Sequence, residues 1–284
     1  MDFLFTINNS YVEQIKILIK SITMNNPGNN MFWFIHKDLR EDIQAEITEY
    51  AEKVDNRNDV RFILFDRPEI LKLPLHGSNW SVEIYFRLFA PYLLPIDKVL
   101  YLDGDTIVNG DLSDFYNTPM SDEIYIRCVA NDIIDTHNRR LNLPDENIYI
   151  NSGVLLLNLK AMRKIPAERT IELLWKNRGR FKFPDQDYIN CTVKNRKELY
   201  DNRYNYMISV AEINPQYQKQ DDILICHYVM EKPWSTKFPY KTDSLYFKYL
   251  IAAGKWYWVP KLWVLHRMYR LYQLICVPKQ HRRI

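Results

Sequence analysis

With 284 residues, 47% of them hydrophobic and 26% charged, and with only 7 glycines, the chain has the composition of an ordinary globular protein, which excludes a disordered or low-complexity one. The net charge of +3 comes from the tail, because residues 255–284 contribute seven lysines and arginines and no acid, which leaves −4 on residues 1–254. A nucleic-acid partner is therefore not expected, since phosphate contacts need basic residues spread over the binding face.

Strand and helix patterns alternate through the first 65 residues. The predicted elements are a strand at residues 2–7, a helix at 11–24 capped by Ser10, a strand at 31–35, a helix between 39 and 54, and a strand at 60–65. Such a series makes a mostly parallel sheet with crossover helices, so the predicted fold class is α/β. Ligands of such sheets bind at the carboxyl ends of the strands, which here points to the turns after Ile7 and Leu102.

Two carboxylates follow a buried strand near the middle of the chain. The apolar run at residues 99–102 ends in Asp103-Gly104-Asp105. Because burying an anion without a partner is costly, such a pair usually shares a cation, and a divalent metal is the simplest one. A lone histidine after a strand is usually structural, but His227, after a short strand at 223–226, could complete an oxygen and nitrogen site suited to manganese.

Two further segments place polar residues beside apolar ones. The helix predicted at residues 81–90 has an apolar face interrupted by Arg87, which is either a snorkelling side chain or a cation aimed at the site beside Asp103. Strands are predicted at 124–130 and at 149–158. The second of these has Asn151-Ser152-Gly153 at its mouth, a sequence that suits close approach of the backbone to a ligand.

Residues 183–190 predict the start of a helix with acidic groups in its first turn. Asp185 and Asp187 are favoured there by capping and by the helix dipole. The alternative is that they belong to a catalytic site.

The carboxyl-terminal segment alternates aromatic and basic residues. Leu262, Leu265, Tyr269 and Tyr272 fall three or four apart, which predicts one face of a helix. Because the segment has no run of 18 apolar residues, we expect this helix to lie on an anionic membrane surface rather than to span the membrane. The alternative is that it packs on the body of the protein or on a second subunit.

The cysteines and the amino terminus bear on the compartment. The cysteines lie far apart and form no CxxC pair, which predicts buried free thiols rather than disulfides or a zinc site; they are Cys128, Cys191, Cys226 and Cys276. The first residues lack a basic segment and run directly into a predicted strand, so no signal peptide is expected. The predicted location is cytoplasmic, with the tail at the inner face of the plasma membrane.

Four of these segments, in this order, resemble glycosyltransferase family 8. They are Asp103-Gly104-Asp105, the strand that begins with Asn151-Ser152-Gly153, Asp185-Gln186-Asp187, and His227-Tyr228 with Lys232-Pro233-Trp234. The resemblance covers roughly residues 1–250 and implies a single GT-A (Rossmann-like) domain over 1–250, followed by a basic, aromatic helical tail at 251–284. It implies a retaining hexosyltransferase that moves galactose or glucose from a UDP-sugar to a glycan or glycolipid acceptor, as in the synthesis of lipopolysaccharide or related surface glycans.

The resemblance also implies roles for individual residues. Asp103, Asp105 and His227 match ligands of Mn²⁺, with Mg²⁺ as the alternative, and Lys232 matches a lysine that binds the diphosphate. The other matched positions are Thr6, Asn8 and Tyr11 at the nucleotide base, Gly104 within the metal motif, and Arg87, Asp132, Asn151 and Asp185 near the donor sugar. The chain departs from the family pattern at Asn8, where relatives usually have an acidic residue, and in the short, glycine-free link between His227 and Lys232.

Gln186 matches the residue beneath the reactive face of the sugar. Retention by double displacement needs a carboxylate nucleophile, and the amide of Gln186 is a poor one. We therefore expect a same-face substitution in which nearby dipoles stabilise an oxocarbenium-like sugar, with Asp187 as the alternative nucleophile.

Two other classes of protein share part of the pattern. Haloacid dehalogenase-like phosphatases also use a strand ending in two aspartates, but with a Gly-Thr after the second, whereas Thr106 follows Asp105 directly. A non-catalytic carbohydrate-binding descendant of the family should have lost residues such as Asp105, His227 or Gln186. All three are present.

Overall fold

The computed structural model describes residues 1–75, 80–130, 134–144, 146–214, 222–240 and 242–278. The strands in these ranges are β1 (Asp2–Thr6), β2 (Met31–His36), β3 (Asp59–Leu64), β4 (Lys98–Leu102), β5 (Thr106–Val108), β6 (Ile126–Val129), β7 (Val154–Asn158), β8 (Lys197–Tyr200), β9 (Tyr206–Met207) and β10 (Ile225–His227). The α-helices are α1 (Val12–Asn25), α2 (Glu41–Val54), α3 (Pro68–Leu71), α4 (Ala90–Leu93), α5 (Ser113–Asn117), α6 (Ile134–Leu141), α7 (Leu159–Met162), α8 (Ala167–Asn177), α9 (Pro184–Val193), α10 (Ile208–Ile213), α11 (Asp243–Ala252) and α12 (Val259–Cys276). The 3₁₀-helices are Asn9–Tyr11, Val82–Phe89, Asn202–Asn205 and Trp256–Trp258.

Seven of the described strands form a central sheet in the order β3-β2-β1-β4-β7-β6-β8. β1 is parallel to β2 and β4, β2 to β3, and β6 to β8, whereas β7 is antiparallel to both of its neighbours. A smaller sheet of described strands has the order β5-β10-β9. The prediction of an α/β fold with a mostly parallel sheet flanked by helices is confirmed.

Helices cover both faces of the central sheet, which is why its strands are continuous apolar runs. Side chains alternate between the two faces along a strand. Phe3 and Phe5 of β1 therefore lie in one core with α1 and α2, and Leu4 lies in the other with the 3₁₀-helix at residues 82–89 and α9.

The strand order brings the predicted site segments to one edge of the sheet. Leu4 of β1 lies opposite Tyr101 of β4, so the residues that follow these two strands emerge side by side. Leu102 lies opposite Val154 at the start of β7, and the peptide N–H of Asp103 donates to the Gly153 carbonyl at 2.8 Å. The turn before β7 therefore lies beside the aspartate pair.

The small sheet brings the histidine to the same place. β10 is antiparallel to β5 and sets His227 opposite Thr106, directly after the second aspartate. The peptide N–H of Tyr228 donates to the Asp105 carbonyl at 2.9 Å. Residues more than 120 positions apart in the sequence thus become neighbours.

The structure corrects three local predictions. Ser10 does not cap α1; the Asn8 side chain accepts from the Ser10 N–H and caps a 3₁₀ turn, after which α1 begins at Val12. The strand predicted at 149–158 begins only at Val154, because the Gly153 N–H donates to the Asn151 side chain (2.9 Å) instead of to a strand. The helix at 81–90 is largely 3₁₀, since Pro91 lacks the N–H that an α-helix would need there.

The terminal helix α12 packs on the body with the face that was predicted to contact a membrane. Leu262 belongs to the core formed with the small sheet and α11, and His266 and Gln273 are buried on the same side. His266 Nδ1 lies 3.0 Å from Asp243 Oδ2, and Arg270 lies 3.3 Å from the same oxygen. The predicted membrane face was therefore wrong, because these polar contacts to α11 fix the rotation of the helix.

The opposite face of α12 is apolar and exposed. Val264, Met268, Leu271 and Ile275 recur at helical spacing, and between 46% and 72% of each residue is exposed. No helix in the described ranges is both long enough and apolar enough to cross a membrane.

The cysteines are free thiols in the structure, but one differs from the prediction in its exposure. Cys128 and Cys226 are buried and Cys191 is partly buried. Cys276 is exposed in the last turn of α12, where Leu274 and Ile275 are exposed as well, so this turn gives the thiol no core to enter.

Candidate active site

Asp103, Asp105 and His227 form a cluster in which one ligand atom of each lies within 4.8 Å of the others. His227 Nε2 is 3.3 Å from Asp105 Oδ1 and 3.7 Å from Asp103 Oδ2. Two carboxylates and an imidazole are ligands that Mn²⁺ accepts, and carboxylates also suit Mg²⁺. The residues therefore fit a divalent cation.

Arg87 is buried beside the first aspartate. Its Nη1 lies 3.0 Å from Asp103 Oδ1 and its Nε 3.3 Å from Asp185 Oδ2, and its guanidinium carbon is 4.0 Å from the centre of the Tyr101 ring. Burial alone would lower the pKa of Arg87, but Asp103, Tyr101 and Asp185 outweigh it and raise the pKa. Of the two interpretations of Arg87, the structure agrees with a cation aimed at the site, because the side chain turns inward to these acids rather than out to solvent.

Lys232 contacts the second aspartate. Its ammonium group donates to the Asp105 carboxylate and to the Tyr228 carbonyl (2.7 Å). Burial alone would raise the pKa of Asp105, but Lys232 and His227 outweigh it and hold the pKa well below its usual range. Asp105 is therefore ionised at neutral pH, as a metal ligand must be.

The short link between His227 and Lys232 still brings the lysine into the site. Met230, within the link, has φ of +63°, the left-handed conformation that favours glycine. Its side chain is 71% exposed, so the turn is made without a packed side chain. The missing glycine of the family pattern is thus replaced by a methionine in a glycine-like conformation.

The start of α9 is joined to the turn before β7. The Ser152 hydroxyl donates to Asp185 Oδ2 at 2.9 Å, and Gln186 Oε1 accepts from Asn151 Nδ2 and from the Ser152 N–H, both at 3.1 Å. Burial raises the pKa of Asp185 against the opposing effect of Arg87. Asn151, Asp185 and Gln186 therefore lie in one connected cluster with Arg87 and Asp103.

Asp187 is completely buried and has four donors. Its Oδ1 accepts from Arg140 Nη2 (2.7 Å) and from the Tyr149 hydroxyl (2.6 Å), and its Oδ2 accepts from Arg140 Nη1 (2.7 Å) and from the Phe183 N–H (3.0 Å). Phe183 is the N-cap residue of α9, so Asp187 also acts as a helix cap. These bonds occupy all four acceptor positions of the carboxylate.

The residues predicted at the nucleotide base lie around the end of β1. The Thr6 hydroxyl is 3.3 Å from the Tyr101 hydroxyl, which in turn donates to Asp103 Oδ1 at 2.6 Å. Tyr11 lies over Gly104, where an added Cβ would come within 2.8 Å of the Tyr11 ring. Asn8 donates to the Ser81 hydroxyl at 3.3 Å, away from the aspartates. Asp132 lies outside the described residues.

Sequence reasoning missed several residues that complete the site. Tyr149 precedes Asn151 by two positions and could have been found as part of the same strand mouth. Tyr101 is hidden within an apolar strand, and Arg140 and Asn205 lie in segments without a recognisable motif. Asn205 is fully buried and lies 2.9 Å from His227 Nδ1.

Known proteins agree with this architecture. A lipopolysaccharide 1,2-glucosyltransferase from Escherichia coli (strain K12) is 27% identical to the chain over 271 residues, covering 89% of this chain and 78% of that protein. Glycosyltransferase GlyE from Streptococcus pneumoniae is 25% identical over 247 residues, covering 80% of this chain and 55% of that protein.

Solved structures share the fold. The galactosyltransferase LgtC, in complex with donor and acceptor sugar analogues, superposes with a TM-score of 0.76 at 23% identity, covering 89% of this chain and 95% of that one. The family model described as glycosyl transferase family 8 matches residues 3–237. The chain therefore belongs to glycosyltransferase family 8 and has the GT-A fold.

Proposed function

We propose that this glycosyltransferase transfers galactose or glucose from a UDP-sugar to a glycan or glycolipid acceptor with retention of configuration. The observation that carries the proposal is the cluster of Asp103, Asp105 and His227, flanked by the cations of Arg87 and Lys232. An acidic metal site between two buried cations is suited to a metal-bound diphosphate beside a sugar. The names of the relatives support a hexose donor and an acceptor of the lipopolysaccharide type.

Asp103, Asp105 and His227 would hold Mn²⁺ or Mg²⁺. When bound, the ion supplies a Lewis acid that neutralises charge on the departing diphosphate. Lys232 now neutralises Asp105 and would transfer its ammonium group to the diphosphate, a movement that the short, exposed link around Met230 allows.

Arg87, Asn151 and Asp185 surround the proposed place of the donor sugar. Their charges and amide groups are fixed by the contacts described above, so they can orient hydroxyl groups without further reorganisation. We assign the Gln186 carbonyl oxygen to the stabilisation of positive charge on the anomeric carbon. Asp187 is a weaker candidate for a nucleophile, because its four acceptor positions are already occupied.

The tail would place the enzyme on the cytoplasmic face of a membrane. Val264, Met268, Leu271 and Ile275 offer an exposed apolar stripe, and the basic side chains of Lys261 and Arg267 are also on the exposed part of α12. Apolar burial together with attraction to anionic lipids is the usual basis of such binding. A surface location would bring the site to membrane-bound glycolipid acceptors.

Hydrolysis of a panel of nucleotide sugars in the presence of Mn²⁺ tests the proposed function. Release of UDP from UDP-galactose or UDP-glucose, lost in Asp105→Asn, is the expected result. Release of phosphate from monoesters would instead identify a phosphatase, and binding of sugars without any hydrolysis would identify a carbohydrate-binding protein.

A further inference from the structure

One hydrogen-bonded chain of side chains connects the candidate metal site to Asp187. Its bonds are His227 Nδ1 to Asn205 Oδ1 (2.9 Å), Asn205 Nδ2 to Asn151 Oδ1 (3.0 Å), Asn151 Nδ2 to Gln186 Oε1 (3.1 Å), Gln186 Nε2 to Tyr149 Oη (3.0 Å), and Tyr149 Oη to Asp187 Oδ1 (2.6 Å). Asn205, Tyr149 and Asp187 are fully buried, and His227 is 1% exposed. Water therefore has little access to these bonds.

Two backbone N–H groups fix the direction of the chain. The Gly153 N–H donates to Asn151 Oδ1 at 2.9 Å, and the Ser152 N–H donates to Gln186 Oε1 at 3.1 Å. A peptide N–H can only donate, so the amide atom that faces it must be the oxygen. Neither Asn151 nor Gln186 can flip its amide without losing these bonds.

The fixed direction determines the tautomer of His227. Because Asn151 Oδ1 is an acceptor, Asn205 must direct its Nδ2 there and its Oδ1 towards the histidine. His227 then carries its proton on Nδ1, and the lone pair of Nε2 points at Asp103 and Asp105. Nε2 is the nitrogen that a cation in this cluster would use.

The same direction orients Gln186 at the other end. Its Nε2 donates to the Tyr149 hydroxyl, which donates to Asp187, whose charge Arg140 holds in place. Burial and the neighbouring Asp187 raise the pKa of Tyr149, so this hydroxyl keeps its proton. Hydrogen bonds that run in one direction polarise each other, which makes the Gln186 carbonyl oxygen a better acceptor.

We propose that Asn205 and Tyr149 are positioning residues of the site: Asn205 sets the tautomer of His227, and Tyr149 holds the amide of Gln186. The roles of the metal site and of Gln186 rest on the proposed function, but the tautomer does not. The first experiment can therefore fail independently of the transferase activity.

The first experiment reads the tautomer directly. ¹⁵N NMR of histidine-labelled, metal-free protein at pH 7.5, with the His227 signals identified from their absence in His227→Gln, should show the proton on Nδ1. A proton on Nε2 would overturn the proposal whatever the enzyme transfers.

The second experiment separates the two ends of Asn205. Asn205→Leu removes the acceptor for His227 and should weaken Mn²⁺ binding, followed by electron paramagnetic resonance, by about 10- to 100-fold. Asn205→Asp keeps that acceptor but turns a second oxygen towards Asn151 Oδ1, so Mn²⁺ should bind no more weakly while kcat falls about tenfold. Wild-type Mn²⁺ affinity in Asn205→Leu, or wild-type kcat in Asn205→Asp, would contradict the proposal.

The third experiment uses a matched pair of tyrosines. Tyr149→Phe removes the acceptor of Gln186 Nε2 and should lower kcat about tenfold, with the donor KM and the Mn²⁺ affinity within about twofold of wild type. Tyr188→Phe is the control, because the Tyr188 hydroxyl on α9 pairs with Thr170 at 2.9 Å instead. Equal loss of kcat in both variants, or a change confined to KM, would show that Tyr149 acts only in packing or in donor binding.

Discussion

Gly153 lies so close to His227 that no side chain fits between them. A Cβ added at residue 153 would lie 2.2 Å from His227 Cε1 and 2.6 Å from Asp103 Oδ2. The backbone of the turn before β7 is therefore part of the wall of the candidate metal site. This close approach explains why a glycine stands at the mouth of an otherwise apolar strand.

Gly153→Ala should displace the imidazole and abolish Mn²⁺ binding, with a loss of activity of at least about 100-fold, because metal ligands tolerate little displacement. Gly179→Ala is the control, since nothing lies within 4 Å of a Cβ at that position. Mn²⁺ titration by electron paramagnetic resonance measures the effect. Tight metal binding by the alanine variant would show that the site is not where we place it.

Gln186→Ala should slow sugar transfer by more than tenfold, because it removes the dipole assigned to the positive charge that develops on the sugar. The donor KM should change less than kcat, since the diphosphate contacts lie at Lys232 and the metal ligands. Steady-state kinetics with the best donor of the panel measures both. An unchanged kcat would remove Gln186 from the mechanism.

Arg140→Met should destabilise the protein by about 3 kcal/mol, because it leaves the completely buried Asp187 carboxylate without its cation. Arg169→Met is the control: Arg169 forms an exposed pair with Glu172, so its loss should change the free energy of unfolding by less than about 0.5 kcal/mol. Urea denaturation compares the two. Equal effects would mean that the Asp187 pair contributes nothing beyond an ordinary surface pair.

Membrane binding should depend on the outward face of α12. Replacing Met268, Leu271 and Ile275 by serine should reduce cosedimentation with phosphatidylglycerol vesicles by at least about tenfold, and raising the salt concentration should weaken binding of the wild type. Deletion of the tail is a poorer test, since it would leave Asp243 without His266 and Arg270. Undiminished binding by the triple variant would mean that α12 does not contact lipid.

Acid should destabilise the protein in part through His36. Burial lowers the pKa of His36 below its ordinary value near 6.5, and the neutral ring accepts from the Leu39 N–H at 3.0 Å. As the pH falls through 6.5 the unfolded chain takes up a proton before the folded protein does, so the free energy of unfolding decreases until the folded pKa is reached.

His36→Asn keeps an acceptor for Leu39 but does not titrate. The loss of stability between pH 7.5 and pH 5.5 should be smaller in this variant by about 0.5 to 1 kcal/mol. Part of the pH dependence should remain, because burial also lowers the pKa of His137. Denaturation curves at the two pH values test this, and identical pH dependence in variant and wild type would contradict it.

The sequence by itself determined the elements and the inventory of the site. The apolar periods of the first 65 residues predicted β1, α1, β2, α2 and β3, because each element must bury a face whose spacing is written in its own residues. The aspartate pair and the order of the four family segments predicted the fold and the metal ligands for the same reason: both are local patterns.

The tertiary structure decided everything that depends on contacts between distant segments. Arg87 could snorkel or pair with Asp103, Asp187 could cap or react, and α12 could turn either face outward; each choice depends on partners 16 to 98 residues away or more that no local pattern names. Asn205 shows the limit most clearly. It stands in no motif, yet β10 brings His227 to it, and only there does one amide oxygen fix which nitrogen of the histidine faces the aspartates.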